Sequence, residues 1–96
     1  MEREEIEAMW ERIKALEEDS LNISKTLGEV SVTAVLSVVR SLLVPAGKFE
    51  NFKAYMEPKS DEAMKDIRNA RNIEEIIHII RQFSDDSATF TGAVLK

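Results

Sequence analysis

The most constraining stretch of this sequence is residues 30–44, VSVTAVLSVVRSLLV, in which Arg40 is the only charged side chain. At helical spacing its apolar residues form one continuous stripe, made of Val32, Val35, Leu36, Val39, Leu42 and Leu43. Ala34 and Val38 widen this stripe, so a helix here must be covered by other segments on several sides. The pattern predicts a central Val/Leu-rich helix around which the rest of the chain packs.

A β-strand and a membrane span are the two other interpretations of this stretch. Residues 30–33 alternate as a strand does, but helical spacing continues from Val32 to Leu43, which is longer than a typical strand. The apolar run is shorter than the roughly 20 residues that cross a bilayer, and Arg40 would lie within it. We therefore expect a helix without membrane contact. The absence of cysteine and of a signal-peptide pattern favours a cytoplasmic location.

Before the central helix, residues 2–20 carry apolar side chains at intervals of three and four, which predicts an amphipathic helix. Residues 19–22 are expected to break it, with Ser20 or Asn22 capping a short second segment. Gly28 is expected to separate that segment from the central helix. The central helix should end at Pro45, because proline disfavours helical geometry in the residue before it.

After the central helix, a short aromatic helix beginning near Phe49 is expected to close at Pro58. Two further helices are predicted over 61–71 and 73–83, the second opened by a capping box of Asn72 and Glu75. Beyond Ser84 the helical pattern is lost, which predicts a short extended C-terminal tail.

Composition agrees with one small globular unit. Of the 96 residues, 44% are hydrophobic and 32% are charged, which is typical of a globular protein rather than a disordered tail. Abundant charge, a single glutamine and no cysteine are typical of thermophile proteins. The predicted fold is a single all-α domain over residues 1–96, a compact bundle of four to five helices around the central helix.

The acidic excess lies at the N-terminal end. Residues 1–31 hold nine acids and four bases, giving −5, whereas residues 32–96 hold nine of each and are neutral. The first helix is therefore the expected surface for protein neighbours. Its apolar residues are the candidate protein interface: Ile6, Met9, Trp10, Ile13 and Leu16.

Basic residues cluster in the middle of the chain. Phosphate binding needs little more than such a cluster, so it is a candidate nucleic-acid contact, although Asp61, Glu62 and Asp66 neutralise part of it. An ordinary solvated face is the other interpretation. The candidate contacts are Lys48, Lys53, Lys59, Lys65, Arg68 and Arg71.

Motifs for catalysis are not found in the sequence. His78, the single histidine, falls on the polar face of the last predicted helix, where pairing with Glu74 accounts for it. No nucleophile motif or glycine-rich phosphate loop occurs, and Asp85 and Asp86 lack the spacing of a metal-binding loop. We predict a protein that is not an enzyme and has no catalytic residue, metal or cofactor.

The valine-rich segment SVTAVLSVVRSLL, the basic middle and the ending NIEEIIHIIRQFSDD resemble the small helical subunit of archaeal type I-A CRISPR effector (Cascade) complexes. The resemblance covers the whole chain by size and order of helices. It implies a role in antiviral defence, with several copies lining a ribonucleoprotein, contacting larger protein subunits and helping to hold target or displaced DNA.

Two functions are therefore expected. The first is a non-enzymatic small subunit of a nucleoprotein complex, whose partners are larger subunits, copies of itself, and RNA or DNA through the complex. The second is a self-associating helical adaptor or regulator that has no nucleic-acid contact and pairs through the apolar face of its first helix.

Overall fold

The longest element of the computed structural model is helix α1, Arg3–Leu43, which is 41 residues long. The structure describes residues 2–96, so Met1, the first residue of the predicted domain, lies outside them. At 1.5 Å per residue α1 is about 60 Å long. It therefore sets the shape of the molecule, whose extents are 68 × 16 × 15 Å. The expected compact shape is not confirmed.

Helices α2 (Phe49–Arg68) and α3 (Ile73–Leu95) complete the fold, so residues 2–96 are all-helical without a strand. Gly47 adopts a φ of 75°, a left-handed conformation that glycine allows, and the Lys48 N–H donates to the Leu43 carbonyl at 2.8 Å. This turn reverses the chain after Pro45, where the central helix was predicted to end.

The three helices run up, down and up. The Lys25 ammonium donates to the carbonyl of Arg68 at 2.9 Å, so the end of α2 lies beside the middle of α1. The ring of Tyr55 on α2 stacks on that of Phe90 near the end of α3, with centroids 4.1 Å apart. Both neighbours of α2 are therefore antiparallel to it.

The core involves only the second half of α1, as the central-helix prediction required. Val32, Val39 and Leu43 of the predicted stripe are buried there, but Leu42 is 49% exposed and Val38 is 58% exposed. Contrary to expectation, the helix is therefore not covered on several sides. The first buried residue of α1 is Gly28. The other side chains of the core cluster come from α2 and α3: Phe52, Met56, Ala63, Ile67 and Phe83. The first half of α1 extends beyond this bundle.

The expected four to five helices are not confirmed, because three predicted breaks are absent. Gly28 does not separate two segments, since it lies within α1 and is buried there. Residues 19–22 are helical, since Ser20 and Asn22 can cap a helix but neither glycine nor proline interrupts the backbone there. Pro58 lies inside α2, two residues from each of the buried residues Met56 and Ser60. The Ser60 hydroxyl donates to the Glu57 carbonyl at 2.9 Å, a local bond beside the proline.

The predicted extended tail is wrong, since α3 continues to Leu95. Its inward positions past Phe83 include the polar residues Ser87 and Thr91, both buried. The Ser87 hydroxyl donates to the Phe83 carbonyl at 2.6 Å, so its polar group is satisfied within the helix. A search for apolar spacing alone misses this final part of the helix.

The predicted capping box at the start of α3 is confirmed in its main bond. The Asn72 side chain accepts from the Glu75 N–H at 2.9 Å. The Glu75 carboxylate reaches back one residue further than the usual motif and accepts from the Arg71 N–H at 2.8 Å.

Asn72→Ala is expected to lower the free energy of unfolding by about 1 kcal/mol, because the N–H groups of the first turn lose their acceptor. Urea unfolding followed by circular dichroism measures the change. Asn72→Ser keeps a capping oxygen and should retain most of the stability. Asn69→Ala, an exposed neighbour whose side chain makes no hydrogen bond in the described chain, is the matched control. Equal losses for Asn72→Ala and Asn69→Ala would contradict the cap.

Candidate protein-interaction site

Residues 3–20 of α1 form a helical arm that projects from the bundle, and every one of them is exposed. The arm is about 27 Å long at the helical rise. It holds all five residues of the predicted protein interface, which share one side of the helix by their spacing. Their exposed fractions are 42% for Ile6, 52% for Met9, 61% for Trp10, 42% for Ile13 and 64% for Leu16.

The arm has little that stabilises it on its own. Most helix stability in proteins comes from packing an apolar face, and every residue of the arm is exposed. The only ion pair within the arm among the described residues joins Arg3 and Glu7 at 3.3 Å, with side chains 92% and 65% exposed. Such a pair stabilises a helix by roughly 0.3–0.5 kcal/mol. Covering the apolar face would therefore stabilise the arm.

The exposed apolar side chains continue past the arm onto the outer side of the bundle. Ile23, Leu27 and Val30 are 62%, 60% and 59% exposed, while neighbouring Gly28 and Val32 face inward and are buried. Sequence analysis missed these three as surface residues, because it placed a helix break before them. Their three-and-four spacing, read in register with that of the arm, is the signal that finds them.

The predicted basic contacts are divided between the flanks and ends of α2. On one flank Lys59 pairs with Asp86 of α3 at 3.4 Å, and on the other Arg68 pairs with Glu29 of α1 at 2.7 Å. The remaining four side chains are exposed. Lys48 precedes α2, Lys53 and Lys65 lie within it, and Arg71 lies in the loop that follows it. The six side chains therefore do not form one continuous patch.

The Lys59–Asp86 pair has an electrostatic effect. The hydrogen bond to Asp86 and the charge of that carboxylate raise the pKa of Lys59 above its ordinary value of 10.5. A raised lysine pKa means that the pair's contribution to stability is complete below the ordinary value and is lost as the pH rises through the raised one. Lys59 is solvated, so this contribution is small.

His78 lies on the rim of a groove of about 210 Å³ between α2 and α3, near Lys59, Glu62, Asp66 and Asp86. The histidine is exposed, as predicted, but no side-chain hydrogen bond or ion pair joins it to Glu74 among the described residues. Among residues 2–96 no three His, Cys, Asp or Glu side chains are placed to hold a metal ion.

A larger, open groove of about 660 Å³ lies where the arm leaves the bundle. One wall is α1, with Lys14, Glu17 and Leu21, and the other is the loop before α3 and its first residue, with Arg71 and Ile73. Charged groups of both signs line it, so this groove is a polar surface beside the apolar face of the arm.

By length and composition alone, α1 is apolar enough to cross a membrane. An 18-residue window has a mean hydropathy of 1.4, and 22% of that window is buried in the bundle. The core helix of a water-soluble protein passes the same test, and α1 supplies Val32, Val39 and Leu43 to the core here.

Searches against protein-family models, curated proteins and solved structures found no match to this chain. Its function is therefore inferred from its own geometry.

Proposed function

We propose that this protein is a non-enzymatic helical assembly module that binds another protein through the apolar face of its arm. The observation that carries the proposal is the arm itself, a projecting helix with five large apolar side chains exposed on one side. Contiguous exposed apolar surface of this kind marks interaction sites in soluble proteins.

The shape and composition of the face favour a helical partner. A one-sided stripe at intervals of three and four residues fits against another helix or into a helix-binding groove. Trp10 and Met9 belong to the residue types enriched at the centres of interfaces. The acidic residues of the arm, such as Glu4, Glu11 and Glu18, lie away from the stripe and keep the arm soluble.

A second candidate is the small subunit of a CRISPR effector-like nucleoprotein complex. Its support is that Lys48, Lys53, Lys65 and Arg71 are exposed and make no ion pair in the described part of the chain. In that setting the arm would bind larger subunits, and the basic residues would contact RNA or DNA held mainly by the complex, because the chain itself is acidic.

The test is affinity purification of the full chain from its native cells, comparing wild type with Ile13→Glu/Leu16→Glu. We expect the wild type to retain proteins, including untagged copies of the chain, that the variant loses, because two carboxylates disrupt the apolar face. Glu11→Gln/Glu18→Gln, on the other side of the arm, is the matched control and should retain them all.

Nuclease treatment separates the two candidates. Loss of the retained proteins after nuclease, together with weaker retention as salt rises, would favour the nucleoprotein subunit. Retention that neither nuclease nor salt changes would favour the helical assembly module. If wild type and the arm variant retain the same proteins, the proposed function is wrong.

A further inference from the structure

We propose that the partner of the arm is a second copy of this chain, bound as a parallel, in-register, two-stranded coiled coil that runs from Ile6 to Val30 of α1. This inference rests on the proposed function, binding through the apolar face, and names the occupant of that face.

The first observation is a heptad repeat that is longer than the arm. Apolar residues follow one another at alternating intervals of three and four, in the order Ile6, Met9, Ile13, Leu16, then Ile23, Leu27 and Val30, with Ser20 completing the series. This spacing puts Ile6, Ile13, Ser20 and Leu27 at a positions and the other four at d positions. A strict period of 3.5 is the narrow seam of a coiled coil, whereas a helix packed on a globular core has a broader stripe.

The second observation is that this seam is unpartnered throughout. Its seven apolar side chains are 42–64% exposed, both on the arm and beside the bundle. Helices α2 and α3 pack on the opposite side of α1, where Gly28 and Val32 are buried. A second α1 can therefore lie along the whole seam, about 36 Å at the helical rise, without displacing either helix.

Charge complementarity favours a second copy in parallel orientation. In a parallel pair, the g position of one helix faces the e position five residues later on the other. Arg12 is at g and Glu17 is at e, so the dimer forms this attractive pair twice. The acidic residues Glu4, Glu11 and Glu18 are all at f, the position furthest from the seam.

An antiparallel pair that stacks the same apolar layers is disfavoured at its centre. It brings Glu17 close to Glu17 of the second copy and Asp19 close to Asp19, and like charges across such a seam are destabilising. It also sets the hydroxyl of Ser20 against Leu16. The parallel pair instead stacks Ser20 on Ser20, so the two hydroxyl groups lie in the same layer and neither faces a leucine.

The test is the molar mass of the full chain in solution, by sedimentation equilibrium over about a hundredfold range of concentration. We expect twice the chain mass of 10.9 kDa. Leu16→Glu/Leu27→Glu places carboxylates in two seam layers and should raise the dimer dissociation constant about 100-fold or more. Both positions are exposed in the single chain, so the bundle should keep its helical circular dichroism. Glu11→Gln/Glu18→Gln, at f positions, should remain dimeric.

Orientation is tested with cysteine, since the described chain contains none. Ser20→Cys should form a disulfide-linked dimer under mild oxidation, because a positions of the two helices face each other in a parallel, in-register pair. An antiparallel pair would not link this variant but would link Leu16→Cys/Ser20→Cys.

A monomer at all concentrations, a trimer or tetramer, or linkage only in the Leu16→Cys/Ser20→Cys variant would each overturn the proposal. None of these results bears on whether the arm binds a different protein in cells. If the chain is monomeric while its arm still retains larger proteins on purification, only the identity of the partner is wrong.

Discussion

Ile67→Ala is expected to lower the free energy of unfolding of the bundle by about 2–5 kcal/mol. Ile67 is fully buried, and its side chain packs where α2 meets α1 near Gly28. Truncation removes buried apolar surface and leaves a cavity between packed helices. Since domains are stable by about 5–15 kcal/mol, a large share of the stability is lost. Urea unfolding at one fixed protein concentration measures it, because self-association would otherwise shift the midpoint.

Ile77→Ala is the matched control for this prediction. Ile77 is the same residue type on α3, but it is 42% exposed. Its truncation removes less buried surface and should lower the free energy of unfolding by about 1 kcal/mol or less. Similar losses at the two positions would contradict the placement of Ile67 in the core.

Gly28→Leu is expected to destabilise the bundle by about 1–3 kcal/mol through overpacking. Gly28 lies where side chains of α2 and α3 both contact α1, because a Cβ there would be 3.0 Å from Ile76 Cγ2 and 3.3 Å from two carbons of Ile67. Three further carbons of leucine have no room between these side chains. Replacing a glycine within a helix ordinarily raises the free energy of unfolding by up to about 1 kcal/mol, because glycine has a low helix propensity. The expected loss of stability is therefore opposite in sign to the change that helix propensity alone predicts.

Two comparisons test the cause of this loss. Gly92→Leu alters an exposed glycine of α3 whose Cβ would meet no atom within 4 Å, and it should leave stability unchanged or slightly raised. In the double variant Gly28→Leu/Ile67→Ala, the new leucine can fill part of the cavity that the truncated Ile67 leaves. The double variant should therefore lose less stability than the sum of the losses of the two single variants. Strict additivity would show that the two positions do not share space.

The central helix could be predicted from sequence because its apolar stripe is nearly continuous. Val32, Val39 and Leu43 of the stripe are buried, whereas Leu42 is exposed because α2 and α3 cover only one side of α1. The helix ends were harder to predict. Ser20 and Asn22 are residue types that often cap helices, but here both lie in the interior of α1. Pro58 shows the same difficulty, because packing of Met56 and Ile67 on one side of α2 outweighs a missing backbone hydrogen bond.

The candidate interfaces differ in how far local sequence determines them. The five apolar residues of the arm lie together because helical spacing alone brings them to one side. The basic cluster depended on tertiary packing, which directs Lys59 toward Asp86 and Arg68 toward Glu29. No periodicity in the sequence specifies those partners. Contact between the basic residues and nucleic acid stays a prediction.

The single tryptophan and the single tyrosine lie in different parts of this molecule. Trp10 is 61% exposed on the arm, whereas Tyr55 is stacked on Phe90 inside the bundle. The unlabelled chain therefore carries two intrinsic optical reporters: indole fluorescence follows the surroundings of the arm, and the near-ultraviolet signal of the tyrosine follows the bundle. One heating scan read at both signals separates melting of the arm from melting of the core.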